Sequence, residues 1–389
     1  MSTLSHHSRA ANQVWSAEGL ARQIHTFDGS QQPRGTIDGE YYLQFSSSDY
    51  LGLSTHPRMR EAATTAIEHY GTGSGGSRLT TGTTMHGALE RELAEHFGYE
   101  DAVWFGSGYQ ANLSTIATLA QLAGSELTIF SDALNHASLI DGIRMARHTA
   151  GCRVTVFPHA DYDALSELTA TCPTTFGLIV SDGVFSMSGA VADHARLEEI
   201  ALSRGMWLLV DDAHGVGALG EHGRGSLDGI SRPDVLIGTA SKALGCSGGY
   251  VLCDEDTATL LRNRARSFVF STSSPPATVA AARTALEILT QEPEHQQRLH
   301  DNIAYLRAGL AEQGLPSPGI SPIVPVVIGD EREAMAVSEA LKQRQIFCNA
   351  IRYPTVARGA AMLRLTVQAT MEHEDIDALL AALAQVRGV

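Results

Sequence analysis

The chain has 389 residues, 43% of them hydrophobic but only 6% aromatic, with 37 glycines, and its 28 basic and 43 acidic residues give a formal net charge of −15. Such a length suits one large domain with a smaller one, and the aliphatic, glycine-rich composition fits an α/β enzyme. The charge argues against a general nucleic-acid binder, and no apolar run approaches the roughly twenty residues needed to cross a bilayer. The five cysteines (Cys152, Cys172, Cys246, Cys253, Cys348) form no close pair, and the first ten residues carry no apolar core like that of a signal peptide. Both features predict a cytoplasmic chain with free thiols. The sixteen histidines are scattered without zinc-ligand spacing, so no metal is expected.

Residues 1 to about 45 read as a helical lead-in, containing Arg22, followed by a short hairpin turning at Ile37-Asp-Gly-Glu40. Phe45–Leu53 reads as a loop that includes Ser48. Pro57 then opens a helix with alanines and Ile67 on one face. Gly71–Gly82 is a glycine and hydroxyl segment with one arginine, Arg78. Such a run can pass close to a ligand, although many linkers look alike; His86 and Glu90 on the next helix are expected to fix it. Val103–Phe105 is a strand, and Gly106-Ser-Gly-Tyr109 turns into a helix reaching about Ala123. A glycine turn feeding a helix N-terminus suits a phosphate, with Gly108 and Tyr109 offering backbone N–H groups; an ordinary strand–helix turn is the alternative. Leu127–Phe130 is the next strand, and His136 opens the following helix as a cap, a core residue or a ligand group. Strand 154–157, helix 161–168 and strand 176–180 continue the alternation, which predicts a mostly parallel sheet with helices on both faces. Asp182 and Ser186 follow at the carboxyl end of a strand, where open α/β sheets place ligands.

Trp207–Val210 is a continuous apolar run, as in a strand buried on both faces, and it leads into Asp211-Asp-Ala-His-Gly215. Carboxylates and an imidazole there are expensive unless they work. Of the two acids Asp212 is the weaker candidate, because adjacent strand residues face opposite ways. About thirty residues on, after another apolar strand, Lys242 stands among small residues in Thr239–Gly245, before the glycine run Gly245–Gly249. Small neighbours let a flat ligand lie close to the backbone, and such a lysine can become a nucleophile toward a carbonyl. Pyridoxal phosphate chemistry needs this inventory: a lysine for a Schiff base and an acid to keep the pyridine nitrogen protonated.

Downstream, Arg262, Arg264 and Arg266 form either a basic patch or a solvated helix face. Phe268–Pro276 reads as a loop containing Ser271 and Thr272, and a helix over about 277–289 leads to a smaller α+β domain. That domain has strands at 323–328, 350–352 and 362–366 and helices at about 331–343 and 372–386. Arg364 interrupts an apolar strand, and a buried arginine needs an anion. The expected divisions are an N-terminal helix and hairpin segment over 1–50, a large domain over 51–283 and a small C-terminal domain over 284–389.

Ser181-Asp-Gly-Val-Phe-Ser-Met187, Val210-Asp-Asp-Ala-His-Gly215 and Thr239-Ala-Ser-Lys-Ala-Leu-Gly245 resemble the α-oxoamine synthase family, and the resemblance covers nearly the whole chain. These are fold-type I pyridoxal phosphate enzymes that condense an amino acid with an acyl thioester. The resemblance implies that Lys242 binds the cofactor, Asp211 meets the pyridinium nitrogen, His136 stacks on the ring and His214 hydrogen-bonds the phenolic oxygen. It places Ser186 at the phenolic-oxygen side or the phosphate, and the Thr239 hydroxyl at the phosphate. Ser271 and Thr272 would reach the phosphate of a partner subunit's cofactor, making a homodimer with shared active sites, unless they belong to a simple loop. Arg364 would clamp the amino acid's carboxylate. Thr355 would touch the acyl substrate, as would Arg22 if it is not an ordinary surface arginine. Relatives often have Asn where this chain has Ser48, which leaves its contact open. Phe45–Leu53, Gly73–Gly82 and Ala350–Val356 point to the biotin-pathway branch, which takes L-alanine and a pimeloyl thioester on CoA or an acyl carrier protein. A glycine-using ligase branch and another acyl donor remain rivals. A non-catalytic binding protein on the same fold predicts damage to the lysine, the acid or the arginine, and all three are present.

Overall fold

Short apolar runs that end in polar residues become the strands of the main sheet. In the computed structural model, which describes residues 2–18 and 20–387, seven strands lie in the order Asp101–Phe105, Gly249–Cys253, Val235–Thr239, Trp207–Asp211, Phe176–Asp182, Leu127–Asp132 and Arg153–Phe157. The pairings from Val235–Thr239 to Arg153–Phe157 are parallel, while Gly249–Cys253 runs antiparallel to both of its neighbours. The sheet is therefore mostly parallel, as the alternation of elements predicts.

Alternate residues feed two cores, as the two-residue period of a strand requires. Leu178, Val180, Leu209 and Ile237 pack with Ile116, Leu119 and Ile143 from the helices Gly108–Ala123 and Ala137–Ala150. Ile179, Val210 and Leu236 face the other way, onto Leu197, Val279 and Leu286. Burial on both faces explains why these strands read as unbroken apolar runs.

The glycine run after Lys242 does something other than clear space for a ligand. Gly248 has φ +132°, and a Cβ there would lie 2.0 Å from the Trp104 ring; one on Gly249 would lie 2.3 Å from the Gly108 nitrogen. These glycines let the strand Gly249–Cys253 press against the turn that starts the helix Gly108–Ala123.

At the N-terminus the hairpin forms where expected, with Asp38 (φ 54°) and Gly39 (φ 85°) between the strands Arg34–Ile37 and Glu40–Gln44. Positive φ at both central residues is the two-residue turn that matches strand twist. The lead-in helix is shorter than expected, covering Thr3–Ala17 with no buried residue. Arg22 is thus exposed in irregular backbone beyond it, because no buried face extends the helix. Pro57 opens the helix Pro57–Tyr70, but the buried positions are Met59 and Ala66, and Ile67 faces solvent.

The strand Glu40–Gln44 pairs in parallel with Ile346–Phe347 from the far end of the chain. A three-stranded antiparallel sheet follows, in the order Ile323–Gly329, Ala361–Thr366, Asn349–Ile351, with the helices Glu331–Lys342 and His373–Arg387 nearby. A 19-residue helix, Glu294–Glu312, was not predicted. Its mean composition is polar, yet Leu299, Ile303, Leu306 and Leu310 recur at helical spacing and are buried. Leu306 is fully buried. Leu306→Ala should destabilise the fold by about 2–5 kcal/mol, read as a fall in Tm in thermal melts; an unchanged Tm would mean that this helix contributes no core.

Candidate active site

A cavity of about 230 Å³ opens at the carboxyl ends of the parallel strands. Lys242, Asp211, His214, His136, Ser186 and Thr239 all line it, as do Gly108 and Tyr109 from the turn opening the helix Gly108–Ala123. These eight come from segments scattered over more than a hundred residues and meet because the strands end together. A larger cavity of about 530 Å³ lies beside the helix Glu294–Glu312, but its lining is mostly apolar and lacks this convergence of polar groups.

The acid is held by a residue that the sequence reading missed. Asp211 Oδ2 accepts a hydrogen bond from Asn112 Nδ2 at 2.5 Å, and Oδ1 accepts from the Ala213 N–H at 3.0 Å. The Asn112 amide also donates to Ser138 Oγ at 2.9 Å, while its buried Oδ1 has no partner. Asp182 stands beside Asp211 in the parallel register and accepts from the His136 N–H at 2.9 Å. Burial, and then the neighbouring Asp211 carboxylate, push the Asp182 carboxyl well above the usual range, which disfavours a second negative charge there. Asp212 points away, as strand alternation requires, and accepts from Ser226 Oγ at 2.6 Å and the Ser226 N–H at 2.7 Å. Burial raises it to about 7.

Lys242 keeps part of its surface open to the cavity, but its amine is crowded by protein atoms. Desolvation lowers its pKa from 10.5 to about 8, with Asp211 and Asp182 opposing the shift and Arg364 assisting it. Desolvation, helped by Lys242 and Arg364, holds His214 well below its ordinary value, so its imidazole is neutral near pH 7. Its Nδ1 lies 2.7 Å from the hydroxyl of Tyr50, a fully buried residue of the loop after the first hairpin. His136 caps the helix Ala137–Ala150, with Nδ1 2.7 Å from Ser138 Oγ, and its ring stands open to the cavity.

At the other end, Ser107 caps the helix Gly108–Ala123, leaving the first-turn N–H groups of Gly108 and Tyr109 free for an anion. The Tyr109 side chain turns outward, its hydroxyl bonded to Asp141. Thr239 Oγ1 donates to the Gly248 carbonyl at 2.8 Å. Arg364 enters from the small sheet, and its Nε donates to the Ser186 carbonyl at 2.6 Å. Ser48 is half-buried, its carbonyl accepting from the Tyr50 N–H at 2.8 Å.

Six of the predicted residues, Arg22, Ser48, Thr355, Arg364, Ser271 and Thr272, do not line this cavity, although Arg364 reaches its wall through the Ser186 carbonyl. Arg22, Thr272 and Thr355 are exposed. The loop of Ser271 and Thr272 is instead tied to the glycine segment: the Ser273 N–H donates to the Gly76 carbonyl at 3.0 Å, and Ser74 Oγ to the Ser274 carbonyl at 2.7 Å. His86 Nε2 lies 3.0 Å from that Ser274 carbonyl. Glu90 pairs with Arg78 at 2.9 Å and accepts from the Trp104 N–H at 3.0 Å, so His86 and Glu90 do fix the segment. Arg78 is thereby neutralised. Arg262 is likewise spent on Asp101, at 2.5 and 2.8 Å, leaving Arg264 and Arg266 as exposed charges.

This donor set fits pyridoxal phosphate. It offers an amine of lowered pKa, a doubly hydrogen-bonded carboxylate, an open imidazole face, a neutral histidine and a helix N-terminus for the phosphate.

The chain belongs to the aminotransferase class I and II family, whose profile spans residues 40–383. Among its relatives, the biotin biosynthesis bifunctional protein BioWF of Corynebacterium kroppenstedtii is 47% identical, over 95% of this chain and 56% of the relative. The chain thus spans about half the length of that bifunctional relative. A putative 8-amino-7-oxononanoate synthase of Desulfovibrio desulfuricans is 46% identical over 93% of this chain and 94% of the relative. A serine palmitoyltransferase variant from S. paucimobilis, solved with a bound PLP–myriocin aldimine, superposes with a TM-score of 0.90 at 28% identity, covering 99% of this chain and 98% of that one.

Two outcomes follow for the isolated site. Labelling of Lys242 in the cofactor-free protein by an amine-reactive reagent should rise with pH around a midpoint near 8, followed by peptide mass spectrometry; a midpoint near 10.5 would show an ordinary solvated amine. Asn112→Ala should weaken pyridoxal phosphate binding by about 10–100-fold, because a hydrogen bond to a charged group is worth about 1.5–3 kcal/mol. An absorbance titration giving wild-type affinity would remove Asn112 from the site.

Proposed function

We propose that this protein is a pyridoxal phosphate enzyme that condenses L-alanine with a pimeloyl thioester, carried on CoA or an acyl carrier protein. The products are 8-amino-7-oxononanoate, carbon dioxide and the free thiol, a step of biotin biosynthesis. The observation that carries the reading is the meeting of Lys242, Asp211, His136 and His214 in one cavity, with Arg364 at its edge. The relatives named for biotin biosynthesis and for 8-amino-7-oxononanoate synthase support the substrate assignment.

Bound pyridoxal phosphate would supply an electron sink for negative charge at the amino acid's α-carbon. Lys242 would hold its aldehyde carbon covalently until the amino acid arrives. Asp211, positioned by Asn112 and the Ala213 N–H, would accept a hydrogen bond from the ring nitrogen. His136 would cover one face of the ring, and neutral His214, supported by Tyr50, would serve the phenolic oxygen. The guanidinium of Arg364 would take the carboxylate of L-alanine. Once its amine is free, Lys242 would remove the α-proton as general base. The α-carbon then takes the acyl group, the thiol leaves, the carboxylate departs as carbon dioxide and a proton returns to carbon.

Ser271 and Thr272 lie outside their own cavity, which supports a homodimer in which they serve the partner's phosphate. No helix among the described residues is long and apolar enough to cross a membrane, which agrees with a cytoplasmic setting.

Release of free thiol from pimeloyl-CoA tests the reading, with L-alanine or glycine as the sole amino donor. Alanine-dependent release, abolished in Lys242→Ala, is expected. Release only with glycine and a short acyl-CoA would move the protein to the ligase branch, and full activity in Lys242→Ala would sink the mechanism.

A further inference from the structure

Away from the cavity, three potential ligands meet from distant parts of the chain. His56 caps the helix Pro57–Tyr70, Glu292 closes the helix Pro276–Gln291, and His295 lies in the first turn of the helix Glu294–Glu312. His56 Nε2 is 3.2 Å from Glu292 Oε2, His295 Nε2 is 3.5 Å from the same oxygen, and the three atoms lie within 4.8 Å of one another. We infer that His56, Glu292 and His295 form a binding site for one divalent transition-metal ion of the zinc class.

Two imidazoles and one carboxylate are a donor set that zinc takes when it keeps a fourth position for water. The two histidine–glutamate spacings agree with that chemistry, and the two imidazole nitrogens lie within 4.8 Å of each other. Metal–donor distances of about 2.0–2.2 Å in a tetrahedron set neighbouring donors about 3.3–3.6 Å apart, and the two contacts to Glu292 measure 3.2 and 3.5 Å. All three residues are half-buried, so water can fill the open position.

The surroundings prepare the carboxylate. Arg58 Nη1 donates to Glu292 Oε1 at 2.7 Å, which leaves Oε2 for the ion. Arg58 is itself balanced by Glu287, 2.8 Å from its other terminal nitrogen, so the cluster of Arg58, Glu287 and Glu292 carries one net negative charge for a dication. One feature limits affinity: His56 Nδ1 is buried without a partner. Metal-binding histidines normally hand that N–H to a carbonyl or carboxylate, and losing such support weakens binding by about 10–100-fold. Micromolar rather than nanomolar binding is therefore expected.

A metal here would tie the start of the helix Pro57–Tyr70 to the junction of two long helices. That start follows directly on the loop that carries Tyr50 to His214. The ion would act as a clamp and take no part in bond making, and the site stands independently of the proposed reaction.

Calorimetric titration of the chelator-treated holoenzyme with Zn²⁺ tests the inference. One ion per chain with micromolar affinity is expected, together with a rise in Tm of about 3 °C at a hundredfold excess over Kd. His295→Gln and Glu292→Gln should each weaken binding at least about tenfold, while metal-free turnover stays at the wild-type level. Undiminished Zn²⁺ binding in the double variant His56→Ala/His295→Ala would assign the ion to other surface histidines. No saturable binding to the wild type would leave only two imidazoles hydrogen-bonded to one carboxylate oxygen. Either result overturns the inference.

Discussion

Two carboxyl groups and an amine share one cavity at the end of a buried sheet, and the rest of the site is arranged around that burden. Parallel pairing sets Asp182 beside Asp211, and the next strand's exit brings Lys242 toward both. Like charges this close, in a medium less polar than water, repel strongly unless one is neutralised or held by donors. The structure uses both means. Asp211 receives two hydrogen bonds, Asp182 is pushed toward its neutral form, and the Lys242 ammonium is destabilised. The same forces that would weaken an ordinary core thus yield an amine that can release its proton near neutral pH.

Backbone contact governs how the phosphate end is built. The strand Gly249–Cys253 runs against the sheet's prevailing direction and lies directly on the turn at Gly108, an approach that no side chain at Gly249 would permit. Trp104 fills the adjoining space and donates through Nε1 to Ser274 Oγ at 2.9 Å. Ser274 also receives Ser74 and His86 on its carbonyl, so one buried serine joins the glycine segment, the edge strand Asp101–Phe105 and the loop bearing Ser271 and Thr272. A loop held this firmly while its tip stays outside its own cavity is well suited to presenting residues to another subunit.

The small sheet reaches the site through Ser186, a residue of the cavity wall. Arg364 sits on its central strand and reaches the Ser186 carbonyl, so the carboxylate-binding group proposed for the substrate depends on how the two sheets pack. The parallel pairing of Glu40–Gln44 with Ile346–Phe347 anchors the loop that follows, and Tyr50 on that loop supports His214. Contacts between the chain's first fifty residues and its last fifty therefore shape groups that belong to neither segment.

Local pattern determined much of this protein. Unbroken apolar runs marked the buried strands, their polar exits marked Asp182, Asp211 and Lys242, and alternation along the strand separated Asp211 from Asp212. The helix Glu294–Glu312 was legible in its spaced Leu299, Ile303, Leu306 and Leu310, but its polar average hid it. Asn112 could not have been found that way. It is an unremarkable position in a helix until packing sets its amide against a carboxylate ninety-nine residues away. Tyr50, the Ser274 junction and the pairing of His56 with Glu292 across 236 residues are of the same kind. Periodicity reports which face of an element is buried, because burial follows from the geometry of a single helix or strand. Which two faces then meet depends on the whole chain's packing, and only the tertiary structure decided that.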